Sequence, residues 1–298
     1  MERVVNIGIP HVGEHILEHI SIEELIQCLS VSQTWKILAE NVLLKKCRGK
    51  IFEACKKGHA DIVKILLERS DIDCSKLNDR DIKERTALMY ACGRGHTNVV
   101  KLLLQTTENP NSDRSIDFNA KSNISRTTSL MYACRNGRTD VVKLLVNHSK
   151  INIELNVFSV YGINMDFCYG WTAFMMACRH GHKDVVEFLL NQTEKRVDLN
   201  AGVVGYGWTA FMLACQQGHK DVVKLMLDHS DRIELNAIAK GNRSKGQTAY
   251  IEACKHGHKD VVKLLLEHPD INTEVKHGTL ITKCYCFDQF CEWHQKKT

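Results

Sequence analysis

The chain has 298 residues, 44% of them hydrophobic and 25% charged, with a formal net charge of +5. That mild surplus is spread along the chain with no dense basic stripe, which argues against nucleic acid, and no apolar run approaches a membrane span or forms a signal peptide. Thirteen cysteines would suit a secreted disulfide scaffold, but six recur at one position where a small buried side chain is wanted, so the reading is a reduced intracellular protein, cytoplasmic or nuclear.

Residues 6–47 stand apart from the rest of the chain. After Ile9-Pro10, residues 14–20 read as a short helix with Ile16, Leu17 and Ile20 on one side. Ser21-Ile-Glu-Glu24 is a capping box, with Ser21 as N-cap and Glu24 reaching back to it. Leu25, Cys28, Leu29 and Val31 continue the apolar face, and residues 32–40 read as a third helix bearing Trp35 and Leu38. His15, Glu18 and His19 spell the H-x-x-E-H of a zinc protease, but a third ligand and an open cleft are wanting. No metal or cofactor is expected here.

From residue 49 to 272 one pattern occurs six times: ACKKGHADIVKILL, ACGRGHTNVVKLLL, ACRNGRTDVVKLLV, ACRHGHKDVVEFLL, ACQQGHKDVVKLML and ACKHGHKDVVKLLL. Read from Cys55, Cys92, Cys134, Cys178, Cys215 and Cys254, the copies lie 37, 42, 44, 37 and 39 residues apart. Such a period means stacked units, none able to bury its apolar face alone. Thr86, Thr128, Thr172, Thr209 and Thr248 should cap a short first helix in five copies. Each Gly-His or Gly-Arg pair should end it through a left-handed glycine. The Asp or Asn that follows can cap the second helix and complement its dipole. Ile116–Asn119, Ile153–Asn156, Val197–Asn200 and Ile233–Asn236 alternate as an extended hairpin start would.

These copies resemble the ankyrin repeat, with Ala or Ser for the family's proline, Met or Ile for its first histidine and Cys for its second alanine. The resemblance implies an all-α dominated solenoid with short β-hairpin fingers. It makes the second histidine structural, bonding backbone across the turn rather than pairing with cysteine on a metal. The 6–47 stretch resembles the F-box, a three-helix module. Ile9-Pro10, Glu24-Leu25, Val31-Ser32-x-x-Trp35 and Leu38-Ala39-Glu40 carry that resemblance, although Leu44 stands where the family ends in tryptophan. It implies docking onto a Skp-type adaptor and cullin complex through Ile9, Pro10, Ile16, Leu17, Ile20, Leu25, Val31 and Trp35. A plain helical cap on the first repeat is the bland alternative.

Function should concentrate where the repeats differ. The longest insertion, Val157–Trp171, holds five of the chain's twenty aromatics. The ankyrin resemblance places exposed wall positions at Arg94, Arg135, Arg179, Gln216 and Lys255, a mostly basic and polar series that favours an acidic target segment. Trp171 and Trp208, each just before a capping threonine, read as exposed anchors beside a finger bearing Tyr161, Phe167 and Tyr169. The same two rings could instead pack beneath that finger and stiffen it. In the 273–298 tail, Cys284, Cys286, Cys291 and His294 match no strong zinc spacing, and a terminal amphipathic cap is favoured. The chain shows no phosphate loop or nucleophile elbow, so a non-catalytic monomeric receptor is expected: F-box for the ligase adaptor, ankyrin groove for the target. The competing reading is an interaction scaffold with no ubiquitin role.

Overall fold

The computed structural model describes residues 17–29, 33–47, 51–68, 77–106, 116–123, 125–161, 168–192, 197–203, 206–240 and 245–273. Among the described residues the first two complete helices are α1 (Ile22–Cys28) and α2 (Gln33–Cys47). At the start of α1 the Ser21 hydroxyl accepts from the Glu24 N–H, and the Glu24 carboxylate accepts from the Ser21 N–H at 2.8 Å, as the capping box requires. The second helix is longer than the sequence suggested, running without a break to Cys47. Ile9, Pro10, Ile16 and Val31 lie outside the described residues.

Six helix pairs follow among the described residues. They are α3 (Ile51–Lys57) with α4 (Ala60–Glu68), α5 (Ala87–Arg94) with α6 (Thr97–Gln105), and α7 (Ser129–Arg135) with α8 (Thr139–Asn147). Then come α9 (Ala173–Arg179) with α10 (Lys183–Leu190), α11 (Ala210–Gln217) with α12 (Lys220–Leu227), and α13 (Ala249–Lys255) with α14 (Lys259–Glu267). First helices pack on first helices along the stack and second helices on second, and α2 packs on α4. One continuous core results. The Ala-Cys pairs are buried in every copy, and so are the Val-Val or Ile-Val pairs of the second helices. A bulkier residue at either place would force neighbouring units apart.

The local chemistry repeats faithfully. Each capping threonine accepts from the N–H three residues on, at 3.2–3.4 Å. The glycines that end the first helices have φ between +65° and +84°, a region open to glycine at little cost. The expected Asp caps are not made. In five of the second helices the N-cap position is His96, Arg138, His182, His219 or His258, none making a side-chain cap bond. Asp140, Asp184, Asp221 and Asp260 lie inside the first turn, where they complement the dipole without capping.

The histidines are used between units. The Nε2 atoms of His182, His219 and His258 lie 2.8–2.9 Å from the carbonyls of Arg135, Arg179 and Gln216 in the preceding unit, and His96 reaches Lys56 O at 3.3 Å. They therefore join units rather than bridging their own turn. Arg138 takes the histidine's place once, its Nε donating to Gly93 O at 3.3 Å. His59 belongs to the first unit, and among the described residues its buried Nε2 has no partner.

The hairpin expectation needs correction. Among the described residues one strand pair forms, β1 (Ser159–Tyr161) antiparallel to β2 (Cys168–Trp171). Other described connections are turns closed by two or three backbone bonds: Val203 N–H donates to Trp208 O at 2.8 Å and Val203 O accepts from Gly207 N–H at 2.7 Å, while Ala239 N–H donates to Gln247 O at 2.9 Å and Ala239 O accepts from Gly246 N–H at 3.0 Å. The alternating segments are not strands. Their apolar residues pack inward, and their asparagines clasp the next unit. Asn200 donates to Arg232 O at 2.9 Å and accepts from Glu234 N–H at 2.8 Å; Asn236 does the same with Asp270 O and Asn272 N–H.

Candidate functional site

The first helices present a wall whose packing positions are nearly invariant and whose outward positions are not. The wall begins at Glu53, Lys56 and Lys57 on α3, where Lys56 is ion-paired to Glu53 at 2.9 Å. It ends at α13, where the buried carboxylate of Glu252 accepts from Gln216 and pairs with Lys255 at 3.5 Å. Arg94 and Lys255 are exposed, while Arg135, Arg179 and Gln216 are half-buried. Burial and the nearby Arg135 and Arg179 together hold the His180 imidazole down to about 4, and burial followed by Arg94 and Arg138 lowers His96. Burial is the larger cause in both, and the neighbouring arginines add to it.

The tryptophans do not stand as exposed anchors. Trp171 is only 7% exposed, capped by the Arg179 guanidinium 5.0 Å from its ring centroid. Trp208 is half-buried and packed against the core. Among the described residues neither buried indole N–H has a hydrogen-bond partner. Both rings pack into the body of the stack. Tyr161 and Tyr169 lie on the paired strands, their side chains outside the description, as is all of Phe167.

At the N-terminal module Leu17 and Leu25 are buried to 1% and 0% exposure, so they hold the helices together and leave no docking surface of their own. Ile20 is half-buried against the same core. Trp35 lies on α2, its side chain outside the description. Among the described side chains of α2, Ile37 is a large apolar residue left half exposed.

One feature the sequence reading did not isolate is a cleft of about 390 Å³ between α5 and α7, lined by Arg85, Met89, Tyr90, Gly93, Arg94, Tyr132, Asn136 and Arg138. It exists because Gly93 occupies a wall position that carries Lys56, Arg135, Arg179, Gln216 or Lys255 in the other units. Comparing that one column of the repeats would have disclosed it. Three cations surround the Tyr90 ring: Arg85 at 4.6 Å, Lys56 at 5.4 Å and Arg94 at 5.5 Å from the centroid. Arg85 is held by Asp81, which accepts from its guanidinium at 2.7 and 2.9 Å and from the Tyr90 hydroxyl at 2.9 Å.

A stack of capped helix pairs joined by inter-unit histidines and asparagines, with a variable wall, is an architecture for binding proteins. The chain belongs to the ankyrin repeat family: the model for ankyrin repeats matches residues 51–157, 114–202, 154–237 and 196–277. Among solved structures it is similar to the crystal structure of the human ASB11 ankyrin repeat domain. The TM-score is 0.53 with 21% identity, covering 74% of this chain and 83% of that one. No curated protein matches the sequence. Among the described residues no group of His, Cys, Asp and Glu could hold a metal, and no helix is long and apolar enough to cross a membrane. The cysteine–histidine tail at 284–294 lies outside the described residues.

Proposed function

We propose that the chain is an intracellular substrate receptor of a cullin–RING ubiquitin ligase. In this reading the 6–47 module docks on a Skp-type adaptor and the ankyrin wall holds the target protein, with no catalysis by the chain itself. The observation that carries target binding is the contrast along the first helices: repeated small residues inward, an unrepeated basic and polar series outward. The adaptor half draws support from the capping box at Ser21–Glu24 and from α2, which combines the buried Leu38, Ala39 and Val42 with the exposed Ile37. Apolar area left open on a short helical module is what drives association of this kind.

Because Leu17 and Leu25 are core residues, replacing them would unfold the module and say nothing about docking. Ile37→Asp removes exposed apolar surface while leaving the core intact. A purified Skp-type adaptor should bind the full chain and lose most of its affinity for Ile37→Asp, with helix content unchanged by circular dichroism. An adaptor that never binds the unaltered chain would refute the ligase half. The second reading, a scaffold whose N-terminal helices only cap the stack, rests on the packing of α2 against α4. It would then stand, with protein binding by the wall retained.

A further inference from the structure

Two departures from the repeat meet at one place. At Gly93 the wall loses the long side chain that its equivalents carry, and at Arg138 the next unit replaces the inter-unit histidine by arginine. Either change alone would be unremarkable in a diverging repeat. Together they open a cleft and line it with a cation. Arg138 keeps the ladder bond, its Nε reaching Gly93 O at 3.3 Å, while its guanidinium lines the cleft that the missing side chain leaves. Arg94 uses one guanidinium nitrogen on Lys56 O at 2.7 Å. Among the described residues neither Arg94 nor Arg138 has a carboxylate partner, whereas Arg85 is neutralised by Asp81. Tyr90 and Tyr132 form the walls.

We propose that this cleft is the anchor subsite for an anionic side chain of an extended segment of the target protein, gripped between Arg94 and Arg138. The inference rests on the wall being the target-binding face and specifies which part of it reads charge. A carboxylate or phosphate oxygen is the chemistry that paired guanidinium groups bind best, through charge-assisted hydrogen bonds. Arg94 and Arg138 both add to the lowering of the nearby His96 imidazole, of which burial is the larger cause. The cleft is much larger than one carboxylate needs, and its aromatic walls admit a phosphorylated tyrosine as readily as a glutamate. Those two sources share the oxyanion and are separated by experiment.

The fold itself offers two gentle variants. Gly93→Gln installs the residue type that stands at position 216, on a helix whose added Cβ would meet Tyr132 Cβ at 3.4 Å and Asn136 Nδ2 at 3.5 Å, ordinary contacts. Arg138→His restores the imidazole used by four other units and with it the bond to the preceding carbonyl. Fluorescence anisotropy at low salt would use the full chain and three labelled peptides of one Gly-Ser frame. Their centres hold four glutamates, one phosphotyrosine or four glutamines. An anionic peptide should bind and the glutamine peptide should not. Each variant should weaken the anionic peptide about tenfold or more, the loss expected for one charge-assisted contact, while melting as the parent does. Preference for glutamate or for phosphotyrosine identifies the source of the oxyanion. Undiminished binding by Gly93→Gln overturns the proposal. If Arg179→Gln, outside the cleft, then weakens binding, the wall reading survives without the cleft. If neither anionic peptide binds the unaltered chain, both fall.

Discussion

Each ladder histidine sits against the left-handed glycine of the unit before it, which allows its contribution to be isolated. Gly181 and Gly257 have φ of +72° and +70°, so an alanine at either place bears the same backbone strain, roughly 1 kcal/mol. At Gly181 the new Cβ would also stand 2.6 Å from His219 Nδ1, while at Gly257 nothing described lies within 4 Å. His219 would have to leave its 2.8 Å bond to Arg179 O. Urea denaturation should therefore show Gly181→Ala less stable than Gly257→Ala by about 1–2 kcal/mol. Equal losses would mean the ladder contributes nothing. Asp81 offers a test by pH. Burial alone would raise its carboxyl, but hydrogen bonds from the Arg85 side chain and backbone, the Tyr90 hydroxyl and the Lys83 N–H outweigh it and hold it at about 2. A folded value below the unfolded value of about 4 means that its stabilisation is complete above pH ~4 and disappears as pH falls toward 2. The melting temperatures of the parent and Asp81→Asn should differ at neutral pH and converge across that window.

At the scale of elements, the legible features were those fixed by local chemistry. The threonine caps, the left-handed glycines and the Ser21–Glu24 box depend on residues within a few positions of each other, and the structure contains all of them. Two element-level expectations failed because the deciding partner is not a near neighbour in sequence: it lies in the next unit for one and at the far end of the following helix for the other. The asparagine-ended segments alternate like strands, yet Asn119, Asn200 and Asn236 spend both side-chain ends on the neighbouring unit, which leaves a turn where a ladder was expected. Trp171 reads as an exposed anchor until Arg179, at the far end of the helix that follows it, closes over it. The Gly93 cleft is harder still, since its signal is an absent side chain. The helices before the first repeat make their own prediction. Helix α2 packs on α4, whose second-helix neighbour on the other side is α6. Removing residues 1–47 should therefore lower the melting temperature by several degrees and expose apolar surface to dye, whereas Ile37→Asp should do neither. A truncated chain as stable as the full one would show that the module is not part of the stack.

Over the whole molecule, every unit has the same kind of interface with the next, so stability should be close to a sum of unit and interface terms. The central units hold a neighbour on both sides; the sixth has a described neighbour on one. The cysteine column gives a probe in each unit. Burial pushes the Cys55 thiol up to about 12 and those of Cys92, Cys134, Cys178 and Cys215 higher still. These thiols are buried among apolar neighbours and the thiolate is the reacting form, so alkylation requires the unit to open. Under native conditions with iodoacetamide, mass-spectrometric mapping should find Cys254 modified first. Cys134, Cys178 and Cys215 should be last, each inter-unit interface adding to the free energy of opening. Mild urea should widen the gap before the main transition. The contrary outcome is equally readable: one common rate for all six, tracking global unfolding, would show that the inter-unit histidine and asparagine bonds couple the stack into a single cooperative unit.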